Sequence, residues 1–268
     1  NTLEKGLKAL EVLCASDRPL RLTEIAEHID CGPSTTLRIL RVLVRSEYVL
    51  RDPVSKLYLP APRALLPLSL YHPLNGFRRD AHAVISGLRE KTGLTIALVL
   101  FLATQRLVVD IVHGSERLSP YYETHLKRPV HSSATGKILL MSLPAGQWID
   151  VLGAEPFPRL ASRTRVTRRE LLEDIELAKS RGFSSTCDES VNGLSAVAAP
   201  ISNSAATIIG SIGAFGHTTG LAGPQEIDKL GQAVRVAADL LSQTSNGIQE
   251  LSRLFGNRSQ ARQLAQAR

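Results

Sequence analysis

Residues 34–45, with the sequence STTLRILRVLVR, decide how the N-terminal part of the chain folds and which surface it exposes. On a helical wheel of about 100° per residue, Ser34, Arg38, Arg41 and Arg45 fall within one narrow stripe. The apolar residues that fall on the opposite side of the wheel are Leu37, Leu40, Leu43 and Val44. The stretch therefore predicts an amphipathic helix that buries one face and presents three arginines and a hydroxyl on the other.

Two further helices and a tight turn are predicted upstream of this helix. The first is indicated by leucines at helical spacing, namely Leu3, Leu7, Leu10 and Leu13. The second covers residues 22–29, and we expect Thr23 to cap it. Residues 31–33, Cys-Gly-Pro, interrupt the chain, and Ser34 is expected to cap the third helix. A helix, a tight turn and a helix with an exposed Ser/Thr/Arg face form a helix-turn-helix, whose second helix enters the major groove of DNA.

A short hairpin is predicted directly after the third helix. Residues 48–51 and 56–59 are rich in β-forming side chains and flank a turn at residues 52–55. In this position the hairpin corresponds to the wing of a winged helix, so we expect a DNA-binding domain over residues 1–60. Residues 1–33 carry four basic and six acidic side chains, whereas residues 34–63 carry six and two. This change of sign suggests a surface that faces a polyanion, and the alternative is a charged face that serves solubility alone.

Eight residues of this domain are candidates for contacts with double-stranded DNA. Ser34, Thr35 and Thr36 are expected at base edges or nearby phosphates, and Arg38 at a base, because arginine can pair bidentately with guanine. The residues expected to neutralise phosphates are Arg41, Arg45, Arg51 and Lys56.

The length of 268 residues suits two domains. Prolines concentrated at residues 60–76 indicate a linker over 61–76, with a short helix at 64–71. Beyond it, helices alternate with strands, which predicts an α+β domain over residues 77–247 with a central, largely antiparallel sheet flanked by helices. Residues 248–268 are expected to be a basic tail, either a frayed helix or disordered.

Composition excludes several classes of protein. The hydrophobic fraction of 43% is that of a globular protein, and no apolar run approaches the roughly 20 residues of a membrane span. Cys14, Cys31 and Cys187 are few, odd in number and lack metal-ligand spacing, which argues against a disulfide scaffold, a zinc finger or an iron–sulfur protein. With no signal peptide recognised at its start, the chain is expected in the cytoplasm, without a metal or cofactor.

Several blocks of the sequence resemble the isocitrate-lyase-regulator (IclR) family of bacterial transcriptional regulators. They follow the family order across residues 2–247 and are residues 20–26, 34–38, 129–137, 181–183 and 193–200. The resemblance implies a winged helix-turn-helix joined by a linker helix to a GAF-like effector-binding domain. It also implies an operator in double-stranded DNA, a homodimer or a dimer of dimers, and a small organic or aromatic acid as effector.

The family's effector cleft maps onto two stretches of this chain. The first is the start of a predicted helix, with Ala134, Thr135 and Gly136, where free N–H groups favour a carboxylate; the alternative is a plain helix start beside a core His131. The second stretch comprises Thr186, Gly193, Leu194 and Ala196, faced by Gly213 and Phe215. Members that bind small oxo-acids look to have more polar residues at positions 186, 196, 213 and 215. The resemblance therefore implies a less polar pocket with an aromatic wall, which suits a larger or aromatic acid better than a glyoxylate-like one.

Two other functions are compatible with parts of the sequence. His131, Cys187 and Asp188 could form a nucleophilic site, but Cys187 has no basic neighbour in the sequence to lower the pKa of its thiol. We therefore expect no enzyme activity. The alternative that stays open is a metabolite-binding or catalytic α+β domain whose helical block mediates protein interactions. For a regulator, Leu3, Leu7 or the linker around 65–70 is expected to contribute to a dimer contact.

Overall fold

The computed structural model describes residues 1–16, 18–65, 72–115, 129–221 and 223–253. The chain divides into two compact units, Asn1–Leu68 and Ser69–Arg268. Of the predicted linker, residues 62–65 form a 3-10 turn and a long helix begins at Pro73. Most of the helix predicted at 64–71 lies outside the described residues.

The first unit is a three-helix domain with a two-stranded hairpin. Its elements are α1 (Thr2–Ala15), α2 (Leu22–His28), α3 (Pro33–Arg45), β1 (Val49–Arg51) and β2 (Tyr58–Pro60). The strands pair antiparallel, with Val49 opposite Pro60. Leu13, Ile25 and Leu40 are buried together with Tyr58 in one apolar cluster. The helices and the hairpin thus share a single core, which confirms the predicted architecture.

Both helix caps predicted in this unit are wrong. Helix α2 begins at Leu22, where the carboxylate of Glu24 accepts the N–H of Arg21 at 2.7 Å, so Thr23 lies inside the helix. Helix α3 begins at Pro33. Proline suits the first helical position because its ring presets φ and the missing N–H has no helical acceptor there. Ser34 is therefore the second residue of the helix and not its cap.

The second unit is built on a five-stranded sheet. Its elements are α4 (Pro73–Thr92), β3 (Thr95–Leu102), β4 (Gln105–Val112), α5 (Ala134–Ser142), α6 (Trp148–Leu152), α7 (Arg168–Arg181), β5 (Ser184–Cys187), β6 (Leu194–Ser202), β7 (Ile208–His217) and α8 (Pro224–Thr244). The strand order is β4-β3-β7-β6-β5, and every neighbouring pair is antiparallel. The predicted α+β class and central sheet are confirmed.

Helices cover both faces of this sheet. On one face, Leu98 and Ile212 pack with apolar residues of α4 and α8. On the other, Ala97 and Val99 pack with Ile138 of α5. After Thr95, the side chains of strand β3 are all apolar, which suits their burial on both faces of the sheet.

The first six residues of the predicted tail, 248–253, are helical as one of the two alternatives has it, but they are packed into the unit and not frayed. Residues 246–253 are helical, and Ile248 and Leu251 are buried in the same cluster as Phe77. The carboxylate of Asp80 accepts hydrogen bonds from the hydroxyl of Ser245 at 2.6 Å and from the N–H of Gly247 at 3.2 Å. These bonds anchor the start of this helical segment. Residues 254–268 lie outside the described residues.

Candidate DNA-binding surface and effector pocket

One face of α3 presents the predicted arginine stripe. Ser34, Arg38, Arg41 and Arg45 are all exposed, and Thr35 is half-buried. Within the described part of the first unit, the three arginines form no ion pair with an acidic side chain. Their charges are therefore not neutralised by any carboxylate among the described residues of the unit.

Thr36 was wrongly included among the candidates for DNA contact. Its exposed fraction is 0%, and its hydroxyl donates to the carbonyl oxygen of Gly32 at 3.1 Å. On the helical wheel Thr36 lies about 160° from Arg38, on the side that packs into the unit. Its place on the helical wheel argues against DNA contact, whereas its position near the helix start favours it.

The hairpin adds two exposed cationic side chains. The guanidinium of Arg51 lies 5.6 Å from the centre of the Tyr58 ring. The ammonium of Lys56 donates to the carbonyl oxygen of Pro53 at 2.6 Å. Asp52 accepts the N–H groups of Ser55 and Val54, and these hydrogen bonds lower the pKa of its carboxyl. The turn is therefore held by an ionised aspartate between the two cations.

A small cavity of about 50 Å³ lies in the second unit, beside the N-terminus of α5. Its walls are formed by Ala97, Ser133, Ala134, Thr135, Thr186, Ser190, Leu194, Ala196, Val197, Gly213 and Phe215. Seven of the nine residues assigned to the effector site from the resemblance are among them. The volume is below the roughly 300 Å³ at which typical ligand pockets begin.

The two remaining residues, Gly136 and Gly193, do not line this cavity, and their roles concern the backbone. A Cβ on Gly136 would lie 2.1 Å from the carbonyl oxygen of Val130, so glycine lets α5 pack against the turn before it. Its N–H is also taken, since it donates to Ser133 Oγ at 3.2 Å. Gly193 has φ +84° and donates its N–H to Asp188. Their assignment to the cavity wall is corrected accordingly.

The N-terminus of α5 forms the polar end of the cavity. Ser133 caps the helix, and the N–H groups of Ala134 and Thr135 come before that of Lys137, the first to donate within the helix. The other walls are mostly apolar, with Leu194, Ala196 and Phe215 among them. The cavity therefore joins hydrogen-bond donors at one end to an apolar interior.

Arg106 extends this polar end, and the sequence did not point to it. It stands opposite Phe101 in the β3–β4 pair, so its side chain leaves the sheet on the α5 side. One guanidinium nitrogen donates to the hydroxyls of both Ser133 and Thr135, the latter at 3.0 Å. Burial lowers the pKa of Arg106 to about 10, which leaves it protonated at neutral pH. The signal available was one basic residue in a strand with only two other polar residues, Gln105 and Asp110.

His131 and Cys187 do not form a nucleophile–base pair. The buried imidazole lies 3.0 Å from the carbonyl oxygen of Pro158 and 5.2 Å from the Phe157 ring, and burial lowers its pKa. The thiol of Cys187 lies 3.5 Å from the guanidinium of Arg163, a basic neighbour that the sequence did not place there. The described contacts of His131 make it a core residue.

Lys137 is a buried charge that sequence analysis missed. Its ammonium lies 2.6 Å from a carboxylate oxygen of Asp174 and 2.8 Å from one of Glu189. Arg165 also pairs with Asp174, at 2.9 Å. Burial raises the pKa of Glu189 above its usual value. The cluster balances two bases against two acids and ties α5, α7 and the segment after β5 together.

Neither a metal centre nor a membrane span is found in the described residues. No group of three or more His, Cys, Asp or Glu side chains there could hold a metal ion. No helix over the same residues is both long and apolar enough to cross a bilayer.

Comparisons with known proteins agree with both units. A family model described as "IclR helix-turn-helix domain" matches residues 2–53, and one described as "Bacterial transcriptional regulator IclR C-terminal" matches residues 75–243. The chain is similar to the HTH-type transcriptional regulator BhcR of Paracoccus denitrificans, with 26% identity over 81% of this chain and 77% of the relative.

Two solved structures share the fold. The IclR transcriptional regulator of Alicyclobacillus acidocaldarius aligns with a TM-score of 0.72 and 22% identity, over 91% of this chain and 98% of that one. An IclR homolog from Microbacterium hydrocarbonoxydans, complexed with 4-hydroxybenzoate, aligns with a TM-score of 0.68 and 19% identity, over 90% and 98% of the two chains.

Proposed function

The chain belongs to the IclR family of bacterial transcriptional regulators, and from this premise we propose that it binds a specific DNA operator under the control of a small organic acid. One observation carries the proposal. Each unit has a surface suited to one partner. The first exposes the arginines of α3, which suit DNA, and the second contains a cavity with hydrogen-bond donors at one end, which suits an acid. This activity belongs in the cytoplasm, where bacterial DNA lies.

The roles on the DNA follow from the chemistry of each exposed side chain. Arg38 lies near the start of α3, the part of a recognition helix that contacts base edges, and its guanidinium can pair with guanine. Ser34 and Thr35 occupy the first turn beside it. Arg41 and Arg45 lie farther along the helix and neutralise phosphates, as do Arg51 and Lys56 of the hairpin.

The effector is an organic acid that lies with its carboxylate at the start of α5. The N–H groups of Ala134 and Thr135 and the helix dipole favour a negative charge there. Leu194 and Phe215 contact its apolar body, which favours an aromatic acid. The 4-hydroxybenzoate complex of the Microbacterium hydrocarbonoxydans homolog supports this class of ligand.

The small cavity gives a physical reason for regulation. A volume of about 50 Å³ holds water but not an aromatic ring, so the acid must bind a state in which the walls have moved apart. A ligand that binds one of two conformations shifts the population towards it. We propose that this shift changes how two DNA-binding units bind the operator.

Two copies of the chain act together in this proposal. A single winged helix covers too little DNA for high specificity, and paired units read two half-sites. Leu3 and Leu7 lie about one turn apart on α1 and are 69% and 55% exposed. We expect them to contribute to the contact between copies. Light scattering at micromolar concentration should give at least a dimer, and a monomeric mass would contradict this part.

The test of the function begins with selection of bound sequences from a random DNA library. The selected DNA is then titrated with the full chain by fluorescence anisotropy, with and without a panel of aromatic and dicarboxylic acids. We expect an enriched, roughly palindromic site and at least one acid that changes the affinity for it. If no sequence is enriched, the alternative of a metabolite-binding or catalytic domain with a protein-interaction module is favoured.

A further inference from the structure

We infer that Arg106 makes the polar end of the effector cavity a set of hydrogen-bond donors only, so that the cavity accepts a carboxylate and rejects its neutral isostere. The inference rests on the proposed function, in which this cavity binds an organic acid. It assigns to Arg106 a positioning role, because the residue acts through the hydroxyls of Ser133 and Thr135, which line the cavity.

The hydroxyl of Ser133 has both of its acceptor positions occupied. Its oxygen accepts one hydrogen bond from the guanidinium of Arg106 and a second from the N–H of Gly136 at 3.2 Å. A hydroxyl oxygen has two lone pairs and one hydrogen. The hydrogen of Ser133 is therefore the part left to interact with a ligand, and it can only donate.

The hydroxyl of Thr135 is oriented by the same guanidinium. Its oxygen accepts from Arg106 at 3.0 Å, and its methyl group points at Gly213. The residue is 8% exposed, and its hydrogen has no acceptor among the described residues. Other helical threonines, such as Thr92 and Thr244, donate to the carbonyl four residues earlier. Thr135 is the second residue of α5 and has no carbonyl of this helix four residues before it, so its hydroxyl is left as a nearly buried donor at the cavity wall.

This pattern of donors selects between two ligand groups of the same shape. A carboxylate only accepts hydrogen bonds, so it can receive both hydroxyls and the N–H groups of Ala134 and Thr135. A carboxamide of the same size turns an NH₂ group towards these donors and leaves some of them unpaired, which is costly inside a protein. The charge of Arg106 further favours the anion through the hydroxyls that it polarises. The cavity should therefore discriminate strongly between an acid and its amide.

The test compares acids with their amides by calorimetric titration of the full chain. The probes are benzoate with benzamide and 4-hydroxybenzoate with 4-hydroxybenzamide. We expect the wild type to bind the better acid at least tenfold more tightly than its amide. Arg106→Met should reduce that ratio by tenfold or more, and Arg106→Lys should restore part of it. Arg89→Met is the control, since Arg89 bonds the carbonyl of His113 away from the cavity, and it should leave the ratio unchanged.

A second variant keeps the inference testable if Arg106→Met does not fold. Thr135→Val preserves the shape and the methyl group but removes the hydroxyl, and it should lower the acid-to-amide ratio several-fold. A ratio that stays within twofold of wild type in either folded variant overturns the inference while leaving the acid site of the proposed function intact. Failure of both acids to bind the wild type overturns the inference together with the aromatic-acid assignment.

Discussion

Thr135 and Gly213 lie against each other in the wall of the candidate effector cavity, where the methyl carbon of Thr135 lies 3.0 Å from the position that a Cβ on Gly213 would take. The start of α5 therefore approaches β7 as closely as a residue without a side chain allows. Both residues line the cavity, so this approach fixes the distance between α5 and the sheet at one of its walls. A side chain at position 213 requires Thr135, whose hydroxyl belongs to the polar end, to shift by a few tenths of an ångström.

Gly213→Ala should lower the affinity for an acidic effector at least fivefold, because the added methyl group displaces Thr135. Overpacking of this kind costs about 1–3 kcal/mol of folding free energy. Calorimetric titration and urea unfolding measure the two effects. Gly146→Ala is the matched control, because its Cβ would meet no atom within 4 Å. Equal acid affinity in both variants and wild type would show that the contact does not shape the site.

Arg38→Ala and Arg45→Ala should weaken DNA binding in different ways. If Arg38 reads a base, its loss costs about 1–3 kcal/mol on the selected site and relaxes specificity there. Loss of Arg45 should weaken binding to all sequences and reduce the slope of log affinity against log salt by about one. Anisotropy titrations on selected and random DNA separate these outcomes.

Arg63→Ala is the control for these two variants, since Arg63 lies outside the α3 stripe, pairs with Glu47 at 3.1 Å and stacks on Tyr48. It should change neither the specificity nor the salt slope. Equal losses on selected and random DNA for both Arg38→Ala and Arg45→Ala would refute the division of roles.

The sequence predicts the order and type of most elements because their signals are local. Strand β3 contains seven consecutive apolar residues, 96–102, and the α3 stripe repeats at helical spacing. The contacts that define the cavity are not local. Arg106 bonds to Ser133 and Thr135, which follow it by 27 and 29 residues in the sequence. Neither periodicity nor spacing predicts these contacts. The burial of the helical residues 246–253 was missed for the same reason, since it depends on residues distant in the sequence, such as Phe77.

The carboxyl of Glu24 should titrate well below its usual range. The guanidinium of Arg18 and the N–H of Arg21 hydrogen-bond to it and lower its pKa to about 2. Because the folded pKa is depressed, the stabilisation of the α2 start is complete above the unfolded pKa of about 4.3 and is lost as the pH falls towards 2. A carboxyl-detected NMR titration measures this pKa. In Arg18→Ala it should rise, and an unchanged value would mean that Arg18 is not its main partner.

Removal of the Lys137 ammonium should strongly destabilise the second unit. Lys137→Met leaves Asp174 and Glu189 facing each other without the buried cation between them. Breaking a buried pair in this way costs about 3–5 kcal/mol. Lys179→Met removes the exposed partner of Glu176 and should change the free energy of unfolding by less than about 1 kcal/mol. Urea unfolding that gives similar losses for the two variants would argue against a structural role for the buried cluster.

Effector and operator should change each other's affinity by the same factor, since both act on one conformational equilibrium. A coupling of about 1–3 kcal/mol corresponds to a 5- to 150-fold change in DNA affinity. The aromatic ring of Phe215 lines the cavity, so Phe215→Ser should weaken an aromatic acid and raise the relative preference for a small polar one.

Without ligand, Phe215→Ser should bind DNA as the wild type does, because no cavity atom is expected to touch DNA. Val236→Ser, at an exposed apolar position of α8, is the control and should leave both affinities unchanged. The measurements are acid titrations with and without operator, and operator titrations with and without acid. An acid that binds Phe215→Ser as tightly as wild type would mean that Phe215 makes no contact with it, and an acid that binds equally with and without operator would mean that the cavity does not control DNA binding.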